Sequence, residues 1–138
     1  MSRSGPSVRQ LRVGETVRHA LSAAFDRGDV HDPDLTGRII TITEVRMSPD
    51  LKAATAFFMP LGGADAEAMK TIERALRRAA PFLQATVGRA MTGKSTPRLS
   101  FQPDRSFDEA ARIGAALRSD KVRQDIERSD EEGHGPTS

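Results

Sequence analysis

Residues 65–91 read DAEAMKTIERALRRAAPFLQATVGRAM, and the fold turns on how this stretch is divided. Met69, Ile72, Leu76 and Ala79 recur at spacings of three and four, the period of a helix with one buried face. Asp65 ahead of them suits an N-cap, because its carboxylate can accept from the free amides of the first turn. Leu83, Val87, Ala90 and Met91 repeat the apolar pattern farther on. Between the two stripes stands Pro81. It has no amide hydrogen to bond back to Arg77, and its ring crowds that carbonyl, at ~3 kcal/mol in a helix interior. Proline suits the first turn of a new helix. Two helices are therefore expected, the second running from Pro81 to Met91, with a joint at Ala79, Ala80 and Pro81 and a break between Ala79 and Phe82. One straight helix over the whole stretch would be ~40 Å long at ~1.5 Å per residue, longer than a compact domain of this size should need.

Upstream, Met1 to Ser7 is rich in Ser, Gly and Pro and is expected to be flexible. A helix is predicted from about Val8 to Arg27, with Leu11, Val17, Leu21, Ala24 and Phe25 on one stripe and Gly28 as its stop. Val30 to Leu35 reads as a loop or short turn. Ile39 to Met47 is rich in β-branched residues and reads as a strand. Its apolar parity shifts midway, from Ile40 and Ile42 to Val45 and Met47, as a bulge or a strand covered on both faces would require. Ser48-Pro49-Asp50 is a turn, and Ala53 to Met59 a second strand in an antiparallel hairpin.

Downstream, Thr92 to Pro97 is a loop and Arg98 to Phe101 a short strand, with Leu99 and Phe101 pointing the same way. Ser106 and Glu109 have capping-box spacing and start a last helix. Residues 119–138 are charged, then Gly/Pro/Ser-rich, and are expected to be disordered. The expected order is helix, strand, strand, helix, kink, helix, strand, then an appended C-terminal helix. This is an α+β arrangement and matches the type II, bacterial variety of the KH domain, an RNA-binding fold. One domain is expected over residues 8–118, flanked by the flexible 1–7 and the tail 119–138.

Composition narrows the function. The 138 residues include no cysteine, which removes thiolate metal sites and cysteine nucleophiles and fits a reducing cytoplasm. No apolar run approaches the ~18 residues of a membrane span, and residues 1–10 lack the apolar core of a signal peptide. A cytoplasmic monomer with no membrane association is expected. Net charge is only +2, yet Lys70 to Arg105 holds eight Lys/Arg against two acids, a net +6, and Ser119 to Ser138 a net −3. A local basic field of this kind marks a polyanion binder; the alternative is a solvated helix face.

Catalytic patterns are missing. His19, His31 and His134 form no i, i+4 pair and have no carboxylate cluster at ligand spacing, so neither metal nor cofactor is expected. Ser48 and Asp50 flank a proline, and their ordinary role is to cap turn backbone. Thr92-Gly93-Lys94-Ser95 resembles the end of a phosphate loop but lacks the upstream glycine and strand. Phe57, Phe58 and Phe101 are the strand aromatics that base stacking would use, though such phenylalanines more often belong to a core. The basic residues near the joint are the main signal: Arg74, Arg77, Arg78, Arg89, Lys94 and Arg98 are the candidate RNA contacts, since arginine offers paired donors to phosphate.

Four motifs in order suggest a family. They are Arg12-Val13; Asp32-Pro33-Asp34-Leu35; Val45-Arg46-Met47-Ser48-Pro49-Asp50-Leu51 with Ala54; and Pro97-Arg98-Leu99-Ser100-Phe101-Gln102-Pro103-Asp104-Arg105-Ser106. From about Arg9 to Leu117 the chain resembles ribosome-binding factor A, a family of bacterial small-subunit assembly factors. The resemblance implies binding to 16S rRNA on the free 30S subunit, help in late 16S rRNA maturation including its 5′ end, no enzymatic activity, and importance for growth in the cold. It also implies an Ala-x-Gly joint in place of the KH signature GxxG. Here Ala79, Ala80 and Pro81 stand there, with proline where the family has glycine. The rival functions are a general single-strand RNA-binding KH-type module, which would need a GxxG-like loop, and a small hydrolase, which would need a cleft with perturbed titratable groups. Sedimentation of an extract separates them: an assembly factor travels with free small subunits and not with translating ribosomes.

Overall fold

In the computed structural model, which describes residues 5–93, 95–106 and 113–117, the first helix begins on a reciprocal cap. The Ser7 hydroxyl accepts from the Gln10 amide at 3.1 Å, and the Ser7 amide donates to Gln10 Oε1 at 2.8 Å. Two of the orphan donors of the first turn are thereby satisfied. This helix, α1 (Val8–Asp26), ends at Arg27, and Gly28 follows at φ +73°, a left-handed conformation that glycine adopts without strain. Val13, Val17, Leu21 and Ala24 are its buried stripe. Leu11, assigned to the stripe by spacing, is 57% exposed, and Val13 takes the place expected for it.

A 3₁₀ turn, Pro33–Leu35, leads to β1 (Ile40–Met47) and β2 (Ala53–Pro60), an antiparallel hairpin. The register shifts between Ile42 and Glu44. That bulge is the cause of the parity change in the sequence, and it returns Met47 to the buried face. β2 alternates cleanly, with Ala54, Ala56, Phe58 and Pro60 buried. It pairs parallel with β3 (Arg98–Pro103), giving the sheet order β1-β2-β3. The Gln84 side chain serves the outer edge of β3, donating to the Pro97 carbonyl and accepting from the Leu99 amide at 3.1 Å.

The expected joint is not a break. Residues Ala66–Ala90 form one 25-residue helix, α2, with Pro81 inside it and Asp65 as the N-cap that its sequence suggested. The separate helix from Pro81 is therefore corrected. The buried set Ile72, Ala75, Leu76, Leu83, Thr86 and Val87 keeps one helical phase through the proline. A single helix thus lays the whole stripe on the core, each large side chain adding roughly 1.5–3 kcal/mol of burial. Pro81 itself is exposed. Arg77, whose carbonyl it deprives of a partner, is exposed as well, on the side of a long helix where carbonyls can turn to water. The α+β, KH-like class rests instead on the hairpin, the parallel third strand and the helices that cover one face of the sheet.

The chain divides into two compact units, Met1–Asp104 and Arg105–Ser138. In the second, residues 113–117 are helical, within the span of the expected appended helix. Glu109 of its capping box and the tail 119–138 lie outside the described residues.

α1 meets the bulged strand at Gly14, which is buried. A Cβ there would stand 2.8 Å from the Val45 carbonyl oxygen, a backbone atom that cannot rotate away. Gly14→Ala is expected to cost about 1–3 kcal/mol as overpacking, despite the helix propensity that alanine adds. Calorimetry should find a melting temperature several degrees lower; an unchanged value would mean that α1 and β1 are loosely joined.

Candidate nucleic-acid interface

The face of α2 opposite the core is set by the same helical phase. Lys70, Arg74, Arg77, Arg78, Pro81, Phe82, Ala85 and Arg89 follow one another around it, and all are exposed. Five cations share this face with one acid, Glu67, in the first turn. An Nη2 of Arg74 lies 3.4 Å from the Thr71 hydroxyl, and Nη2 of Arg89 lies 3.2 Å from that of Thr86. These neutral partners orient the guanidinium groups without cancelling their charge. No ion pair among the described residues engages Arg74, Arg77, Arg89 or Arg98.

Phe82 lies among these cations, 43% exposed. Sequence reasoning missed it, because it sits in an apolar-looking run beside Leu83. Its spacing was the available signal: it falls four residues after Arg78 and seven before Arg89, in phase with the cations and out of phase with Leu76 and Leu83. The aromatics chosen from the sequence are placed otherwise. Phe58 is fully buried, and Phe101 packs partly against the core. Phe57 is half-buried beneath the Arg46 guanidinium, 5.0 Å from its ring centre.

The six predicted basic residues do not share one environment. Arg78 is clamped: its Nε and Nη2 donate to the two Asp32 carboxylate oxygens at 3.0 and 2.9 Å, and Nη2 also reaches Asp34 at 2.7 Å. The Asp32 side chain is only 9% exposed and also caps the 3₁₀ turn by accepting from the Asp34 amide. The Arg78 fork first, and that amide second, hold the Asp32 carboxyl below the usual carboxylate range, while the Arg78 guanidinium is pushed up. Arg78 thereby fastens the loop before β1 to α2. Arg77 flanks a cleft of about 260 Å³ with Glu73, Ala80, Leu99, Ser100 and Phe101. Arg98 is exposed at the start of β3, its amide donating to the Lys52 carbonyl at 2.8 Å. Lys94 lies outside the described residues. Of the predicted joint, Ala79 packs partly against the core, Ala80 lines the Arg77 cleft and Pro81 sits on the outer face.

Ser48 and Asp50 staple the hairpin corner. The Ser48 hydroxyl donates to Asp50 Oδ1 at 2.6 Å and accepts from the Ala53 amide at 3.0 Å, while Oδ1 of Asp50 accepts from the Lys52 amide at 3.1 Å. Both side chains are thus committed to backbone and to each other. Exposed His19 lies 3.4 Å from Glu15, and no group of His, Asp and Glu side chains among the described residues could hold a metal ion. No helix among them is long and apolar enough to cross a membrane.

The Arg78 clamp makes the fold acid-sensitive in a defined direction. Because folding lowers the Asp32 pKa, its contribution is fully present above the ordinary carboxylate value of about 3.9 and is lost as pH falls through the lower folded value. Glu15 and Asp50 are shifted the same way, so Asp32→Asn should reduce, not abolish, the loss of stability below about pH 4. Urea titrations at a series of pH values check this; an acid slope as steep as wild type would remove Asp32 from the account.

Known proteins place the fold. A family model described as ribosome-binding factor A matches residues 9–117. Proteins named ribosome-binding factor A are 52% identical over 132 residues in Xanthobacter autotrophicus, covering 96% of this chain and 85% of the relative. In Azorhizobium caulinodans the identity is 54% over 126 residues, with 91% and 85% covered. The crystal structure of ribosome-binding factor A from Thermus thermophilus superposes with TM-score 0.55 at 26% identity, over 70% of this chain and 98% of that one. A homology model of the Thermus thermophilus protein, fitted into a cryo-EM map of its complex with the 30S subunit, matches with TM-score 0.54 at 26% identity, over 70% and 96%. A solution structure from Thermotoga maritima, at 21% identity, agrees in fold with TM-score 0.62 over 75% and 94%.

Proposed function

Because the chain belongs to the ribosome-binding factor A family, we propose that it binds 16S rRNA on the free 30S subunit and assists late maturation of that RNA, including its 5′ end, without catalysis of its own. The observation that carries this reading is the outer face of α2, where Arg74, Arg77 and Arg89, cations without carboxylate partners, share the surface with an exposed phenylalanine. Each arginine that meets a phosphate releases condensed counterions, which gives affinity and makes it salt-dependent. Phe82 offers an aromatic face on which an unpaired base can stack. In this reading Arg74, Arg77, Arg89, Lys94 and Arg98 face the RNA. Arg78 acts through Asp32 and Asp34 as a positioning residue. The complex of the Thermus thermophilus relative with the 30S subunit supports the choice of partner.

Charge reversal at Arg74, Arg77 and Arg89 together should weaken association with free small subunits by at least tenfold. It should also flatten the plot of log affinity against log salt by roughly 0.7–0.9 per lost phosphate contact. Equilibrium binding at several salt concentrations checks both. Wild-type affinity and slope in a variant that keeps the wild-type melting temperature would place the interface elsewhere.

A further inference from the structure

We propose that the cleft between the start of α1 and the hairpin corner holds one unpaired nucleotide of the RNA, its base inward and its phosphate at the rim. The inference rests on the RNA-binding reading above and adds a second contact to it. The cleft has a volume of about 400 Å³, within the range of about 300–1,000 Å³ typical of small-ligand sites. Val13 and Met91, both buried, and half-buried Leu51 give it an apolar floor, while exposed Arg9 and Lys52 stand on its lining. No ion pair among the described residues occupies either cation. Asp50, the acid on the lining, is engaged by the Ser48 hydroxyl and the Lys52 amide, and the Lys52 charge also acts on it, leaving Arg9 as the cation with no acid beside it on the lining. A flat apolar group joined to an anion fits this pairing. An inorganic anion would leave the floor unused, and an apolar peptide would leave the cations unmatched.

Leu51 packs partly against the core and keeps the rest of its side chain on the cleft. At φ +62° it has the only positive φ of a non-glycine among the described residues. Glycine would meet this conformation without strain, so the leucine is kept for its side chain, which serves both the core and the cleft. Strained residues persist where their surroundings over-determine them, and they cluster at ligand sites. Here the Leu51 amide donates to the Ser48 carbonyl at 2.9 Å, and the Lys52 amide to Asp50 and the Ala53 amide to Ser48 fix the residues that follow.

The test compares wild type, Leu51→Gly, the pair Arg9→Glu with Lys52→Glu, and the pair Arg74→Glu with Arg89→Glu on free small subunits. It measures affinity and the protection of individual rRNA bases from chemical modification. Glycine relieves the strain at position 51 but removes the floor and the packing of Leu51 on the core, so the melting temperature of Leu51→Gly is measured beside its affinity. Wild type should protect an unpaired base that becomes reactive in both cleft variants, with affinity lower by at least about fivefold, the loss of one stacked base. The α2 pair should lose other protections and keep that one at saturating protein. Wild-type affinity and footprint in both cleft variants would overturn the inference and leave the α2 reading intact. A Leu51→Gly variant that binds normally but melts far below wild type would give Leu51 a structural role only and would also overturn it. Normal binding by the α2 pair would instead overturn the reading of the helix face.

Discussion

Burial of one helical stripe across a three-stranded sheet governs this molecule. Ile72, Leu76, Leu83 and Val87 are fully buried, in one core with Ala54, Ala56 and Phe58 of β2, and α2 packs against α1 and β3. The stripe is continuous in phase, so the helix is continuous as well, even through a proline that costs ~3 kcal/mol in a helix interior. The burial of several large side chains outweighs that cost, and the proline's exposed position limits it.

A continuous α2 has a consequence for chemistry. Its outer face becomes one uninterrupted ridge, along which Lys70, Arg74, Arg77 and Arg89 are displayed with Phe82 among them. Two bent helices would have divided these cations between two directions. Arg78 on the same ridge is withdrawn by Asp32 and Asp34, so the loop before β1 is tied to the ridge that it borders. A guanidinium held by two carboxylates contributes little net field to a distant phosphate. Its exposed neighbours, with hydroxyl partners or none, contribute a full charge each.

Much of this was legible in the sequence, for local reasons. The bulge was visible because side chains alternate with period two, and an inserted residue must flip the parity between Ile42 and Val45. The Asp65 cap, the Gly28 stop and the Ser48–Asp50 staple depend on residues within five positions of one another. The helix break was misjudged because proline's local cost was weighed above the tertiary stripe; the unbroken spacing from Ile72 to Val87 contained the answer. The Arg78 clamp was hidden because its partners are 46 and 44 residues away, a pairing that no helical or strand period encodes. The role of Gly14 was hidden for the same reason, since only the packed structure brings Val45 against it. The family resemblance agreed with the matched model over nearly the same residues.

The central claim is that the outer face of α2 is the surface that meets RNA. Electron cryo-microscopy of this protein on the free small subunit tests it most directly. The predicted map places Arg74, Phe82 and Arg89 against rRNA while Arg78 stays paired with Asp32 and Asp34. A map in which α2 faces solvent and another surface of the protein lies on the subunit would contradict it.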